Sequence, residues 1–167
     1  MEQIGRAAHV SKALVYTYFP EQHDIYNAAL ARQVRALDEA GLEAATREKK
    51  LRDAITRCVA VYFEHIVKWG PLLHILWSDM YMAGHTEDAL LEWRAQRMRR
   101  LARLARAELT LSAAEASAAI ELIMTIPEES GRLAFHGDID QDTARELCTE
   151  LTLSALSSLS AQSGPVR

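Results

Sequence analysis

Cysteine is nearly absent: only 2 of 167 residues, Cys58 and Cys148, too far apart in sequence for a redox or metal pair, so both are expected to be small core residues. Seven glycines and four prolines are too few for a collagen-like or low-complexity chain. No run of 18 apolar residues occurs, and the amino end lacks the basic-then-apolar layout of an export signal. A cytoplasmic protein without a membrane partner is therefore expected. There is no Gly-rich phosphate loop, nucleophile elbow or paired-carboxylate constellation, so an enzyme is not expected. No two of the six histidines stand at i, i+4, so neither a metal nor another cofactor is expected. Finally, no segment alternates β-branched and polar residues between turn signals, which leaves an all-α chain rich in Ala, Leu, Glu and Arg.

What is present suits a folded protein: 49% of residues are apolar and 25% charged. A chain of this length buries about 68 to 70% of its unfolded surface and needs no staple. The formal net charge is −4, but it is unevenly spread: residues 1–35 carry +1, residues 36–111 carry +1, and residues 112–167 carry −6. Attraction to phosphate across the whole chain is thereby excluded, and any nucleic-acid contact must be local.

Punctuation along the chain divides it into helices. Residues 1–8 form a short helix; His9 and Val10 turn the chain; Ser11 caps a second short helix over 12–19, which Pro20 ends. A third helix is expected over 21–45 and, beyond a solvated joint at 47–52, a fourth until Gly70 and Pro71. Residues 72–82 give another, and Thr86 with Glu87 and Asp88 caps a helix reaching about Glu108. Ser112 and Glu115 make a capping box for a helix that meets Pro127 and continues, bent, to about Phe135. A last helix runs over about 141–159, and residues 160–167 are expected to fray.

The stretch from Ile4 to Leu30 is the most informative. Two short helices can cross steeply only if the packed positions are small, and Gly5, Ala7 and Ala8 are; Val10, Val15 and Phe19 fill the corner. Ser11, Lys12, Ala13, Leu14, Tyr16, Thr17 and Tyr18 stay outward, a polar and aromatic surface about two turns long that fits a DNA major groove about 12 Å wide. The plain alternative is a pair of surface helices with no groove to read.

Ile4-Gly5, Ala8, Val10, Ser11, Val15, Tyr16, Tyr18 and Phe19 follow the helix-turn-helix pattern of the tetracycline-repressor (TetR) family of bacterial regulators, which this segment resembles. The resemblance implies base contacts from Ser11, Lys12, Ala13 and Leu14, and phosphate or nearby edge contacts from Tyr16, Thr17 and Tyr18. Gln22 stands where the family usually places a phosphate-binding Lys, and His9 where it usually places a turn Gly at positive φ. The family's reader domain has a further helix ahead of this motif, so the DNA-binding domain over 1–45 is expected to be N-terminally truncated.

Residues 46–167 are then a helical ligand-binding and dimerisation domain. Phe63, Trp69, Leu73, His74, Trp77, Tyr81, Met124 and Glu128 combine apolar bulk with a few polar groups and are expected to line a cavity for a small apolar or aromatic effector. Asp79 is a further half-polar candidate. The arginines at 94, 97, 99, 100, 103 and 106 spread around one helix and read as a solvated face, or else as a surface attracted to the acidic carboxyl third.

The last two helices carry more small and apolar surface than one monomer layer needs, Ala116, Ala119, Ile120, Ile123, Leu147, Leu151, Leu153, Leu156 and Leu159 among it. The resemblance implies a homodimer built there, holding two reader helices on a double-stranded, palindromic DNA operator. The expectation is thus a ligand-responsive transcriptional repressor; the alternative is an all-α small-molecule-binding or dimerisation module without DNA binding.

Overall fold

The computed structural model describes residues 1–162 and is all-helical, 80% helix with no strand among the described residues. Nine helices follow in order: α1 (Glu2–Ala7), α2 (Lys12–Tyr18), α3 (Gln22–Glu39), α4 (Leu42–Ala45), α5 (Leu51–Trp69), α6 (Leu72–Ser78), α7 (Asp88–Leu109), α8 (Ala113–His136) and α9 (Gln141–Gln162). No single helix among them is long and apolar enough to cross a membrane. The fraying expected over residues 160–167 is not found at 160–162, which continue α9; the rest of that expectation lies outside the described residues.

The core is built on α5, which packs most extensively on α8 and α9 and also meets α3, α4 and α7. Ile55, Cys58, Phe63 and Ile66 on α5 are sealed from solvent, as are Leu30 and Leu37 on α3, Ile120 on α8 and Cys148 on α9. The core therefore runs unbroken from α3 to α9. The capping box at Ser112 and Glu115 is present, with Ser112 Oγ accepting from Glu115 N at 3.2 Å and Glu115 Oε2 from Ser112 N at 2.8 Å. Pro127 lies fully buried inside a continuous α8, as expected.

Three expected boundaries move. The helix expected over 21–45 breaks at Gly41, whose φ of 100° lies in the left-handed region, so α4 leaves α3 at a new angle. The helix expected over 72–82 stops at Ser78 because the Asp79 carboxylate accepts from the Tyr81 amide at 2.7 Å, a local turn that competes with the helix. Thr86 does not cap α7: its hydroxyl donates back to the Met82 carbonyl at 3.2 Å, and Glu87 holds the cap position without a side-chain bond.

Candidate functional site

Two regions carry the predicted residues. At the amino end, α1 and α2 pack chiefly on each other. The turn between them closes as a Schellman motif: His9 N donates to Arg6 O at 3.2 Å and Val10 N to Gly5 O at 2.9 Å. That motif needs a left-handed residue, and His9 supplies it at φ 56°, as the sequence suggested. Gly5 is required for a different reason: a Cβ there would stand 3.0 Å from Val10 O. Ser11 then caps α2, its Oγ accepting from Leu14 N at 3.1 Å.

On α2 only Val15 is buried. Lys12, Ala13, Leu14, Tyr16, Thr17 and Tyr18 are all exposed, Tyr18 by 72%, and the Lys12 ammonium sits 5.7 Å from the Tyr16 ring centroid. The Thr17 hydroxyl is turned inward to the Ala13 carbonyl at 3.0 Å. Gln22, exposed at the start of α3, donates its amide to the Tyr26 hydroxyl. Phe19 is half-buried, whereas Val10, expected to help fill the corner, is partly open to solvent, as is Ile4. The candidate reading residues thus share one small, outward, mixed polar and aromatic surface.

The second region is a cavity of about 300 Å³ bounded by α4 through α8. Of the residues expected there, Leu73, His74 and Trp77 on α6 and Met124 and Glu128 on α8 line it. Phe63 does not; it is buried on the other side of α5, beside a smaller cavity with Cys148 and Thr152. Trp69 lies on the surface between Arg32 and Lys68, and Tyr81 stacks on His85 at 5.2 Å between centroids. Phe63 and Trp69 lie on faces of α5 that point elsewhere, and Tyr81 falls in the turn beyond the end of α6.

Several lining residues were not anticipated: Leu42, Cys58, Tyr62, Trp93, Arg94, Arg97 and Met98 among them. Tyr62 and Cys58 stand one helical turn apart on α5, and Trp93, Arg94 and Arg97 within one turn on α7, so the missing signal was which face of each helix turns toward α6. Glu128 is held at both oxygens, accepting from the Tyr62 hydroxyl at 3.2 Å and lying 3.0 Å from His74 Nδ1. Burial first, and then the neighbouring Glu128 charge, push the Tyr62 phenol above its ordinary range. Burial likewise pushes the Cys58 thiol up to about 12, which keeps it protonated and unreactive.

On the opposite wall the expectation of a solvated arginine face holds for Arg94, Arg99, Arg103 and Arg106, which are exposed, and is corrected for Arg97 and, in part, for Arg100. Arg97 is buried, and its Nη2 lies 2.7 Å from Asp38 Oδ1, 2.9 Å from Asp38 Oδ2 and 3.0 Å from Glu43 Oε2. Its guanidinium carbon stands 4.1 Å from the Trp93 ring centroid, and Trp93 Nε1 donates to Asp38 Oδ2 at 2.8 Å. Arg100 reaches Glu43 Oε1 at 2.8 Å, and this bond is the main reason the Glu43 carboxyl sits below its usual range. The arginine helix is therefore bound to the α3–α4 break, not to the acidic carboxyl third. Desolvation of Arg97 is offset only in part, because its Nε–H is buried without an acceptor.

Fold and sites together define an all-α protein with a small, partly open cavity and an exposed helical corner at one end. None of the family models, curated proteins or solved structures compared with the chain matches it. Among the described residues no cluster of three or more His, Cys, Asp or Glu could hold a metal ion.

Proposed function

We propose that the protein is a ligand-responsive, sequence-specific DNA-binding transcriptional regulator, a repressor of the tetracycline-repressor type that acts as a homodimer on a palindromic operator. The observation that carries this reading is α2 itself: a capped two-turn helix with one buried residue and two exposed tyrosines beside an exposed lysine. Such a surface has little to contribute to its own fold and suits insertion in a major groove. Exposed Leu122 on α8 and Leu147 and Leu151 on α9, two helices packed on each other, support pairing of two copies through that face.

Release follows as a population shift. A ligand in the cavity touches Leu42 of α4 and Arg97, and Arg97 is fastened to Asp38 near the end of α3. Movement of α3 changes the separation of the two copies of α2, so that both no longer enter successive grooves.

Selection of bound duplexes from a random pool tests the reading, followed by fluorescence anisotropy at fixed salt. A palindromic site should be enriched, and Lys12→Ala and Tyr16→Ala should each weaken it by about 1 to 3 kcal/mol if the residue meets a base. No enrichment, or unchanged affinity in both variants, overturns it. The second reading is an all-α small-molecule-binding or dimerisation module without DNA binding. Partial exposure of Ile4, Val10 and Leu14 favours it, since a corner with so little cover is poorly anchored for reading bases.

A further inference from the structure

The walls of the larger cavity differ in what they leave unmatched. On the α8 side Glu128 is occupied by Tyr62 and His74, and Glu121 is exposed to solvent. On the α7 side two guanidiniums stand three residues apart on one helix face. Among the described residues Arg94 forms no ion pair; it only covers the Trp77 ring, 5.5 Å from its centroid. Arg97 is tied to Asp38 and Glu43 through Nη2, and to the Trp93 carbonyl through Nη1 at 3.0 Å, which leaves its buried Nε–H as a donor without an acceptor.

A cationic ligand finds no shielded partner here that is not already taken: Glu121, the lining carboxylate without an ion pair among the described residues, is exposed to solvent. The indoles of Trp77 and Trp93 are each already covered by an arginine, and the half-buried Glu128 carboxylate is already hydrogen-bonded. Leu42, Leu73, Met98, Leu101 and Met124 supply an apolar interior, and about 300 Å³ sits at the small end of ligand cavities.

We propose that this cavity takes a small, flat, apolar acid, a one- or two-ring aromatic carboxylate, with its carboxylate on Arg94 and the Nε–H of Arg97. The acid satisfies the orphaned donor, pairs the free guanidinium and lays its ring against Leu73, Met98 and Met124. Because Arg97 also holds Asp38 and Glu43, the same contact is felt at the α3–α4 break.

The proposal rests on reading the cavity as the effector site, and calorimetry without DNA measures it independently of operator binding. The probes are benzoate and 2-naphthoate, each against its carboxamide, with benzylammonium as the cation. At least one acid should bind about tenfold more tightly than its amide, and Arg94→Gln should remove about that factor for the acid while changing the amide by less than about twofold. Arg97→Gln also severs structural ion pairs, so Arg94 carries the test. Absence of binding by both acids, equal binding of acid and amide, preference for benzylammonium, or an unaffected Arg94→Gln variant overturns the proposal. Ligand binding without any DNA binding would instead leave it standing and remove the regulator reading.

Discussion

Asp38 and Arg97 meet across the gap between α3 and α7 at 2.7 Å, and the same carboxylate accepts the Trp93 indole N–H at 2.8 Å. One side chain thus satisfies two donors of a helix whose sequence neighbours lie more than fifty positions away. Arg97 is almost wholly buried, with 9% of its side chain exposed, while Asp38 keeps 34%.

Asp38→Ala leaves the Trp93 N–H and most of the Arg97 charge without a partner, and Glu43 compensates only in part. The expected loss is about 2 to 3 kcal/mol, because an unpaired buried donor costs more than its hydrogen bond contributes. Urea unfolding measures it. In a Trp93→Phe background the penalty should shrink, since one orphaned donor is gone. A variant that unfolds at the wild-type midpoint would show that the network adds no stability.

His65 gives a pH dependence of definite sign. It is buried on α5 with its Nε2 lacking a partner; burial, helped by the nearby Lys68 charge, lowers its pKa to about 4. The unfolded side chain titrates near about 6.5, so between these values the unfolded state binds the extra proton. Stability from this group is complete above about pH 6.5, falls as pH drops toward 4, and changes no further below. Unfolding free energies from urea titrations at pH 7 and pH 4.5 should differ by about 2 kcal/mol more in the wild type than in His65→Gln. Equal differences would mean that His65 takes up its proton in the folded state.

Local signals in the sequence were sufficient for most of the helices. The cap at Ser11, the left-handed turn at His9, the capping box at Ser112 and the passage through Pro127 each depend on chemistry within a few residues. The break at Gly41 is not declared locally, because one glycine amid helix formers is a weak stop signal. The cavity was legible only in part. Leu73, His74 and Trp77 lie on one helix and declared themselves together, whereas Phe63 and Trp69 have the right composition on faces directed away from it. Arg97 was unreadable for a deeper reason: a buried arginine is explained only by Asp38 and Glu43, and nothing local links those positions.

Gly131 on α8 sets how closely that helix approaches α5. A Cβ at this position would lie 2.8 Å from Ile66 Cβ and 2.9 Å from its Cγ2, closer than side-chain carbons pack. Helix propensity alone would favour Gly131→Ala by about 1 kcal/mol, so the sign of the outcome depends on the clash. No rotamer moves a Cβ, and the overlap can be relieved only by shifting the helices apart, at the upper end of the about 1 to 3 kcal/mol typical of overpacking. A net loss of about 1 to 2 kcal/mol is expected, read as a lower urea midpoint. The displacement also reaches the cavity, because Tyr62 on α5 and Glu128 on α8 are joined across this same interface by a bond already 3.2 Å long. Stretching it removes one of the two contacts that hold Glu128 and leaves its Oε1 facing the ligand space, with only His74 still beside the carboxylate, so the variant should bind an aromatic acid more weakly than the wild type does. A Gly131→Ala protein more stable than the wild type would show that α5 and α8 do not approach this closely.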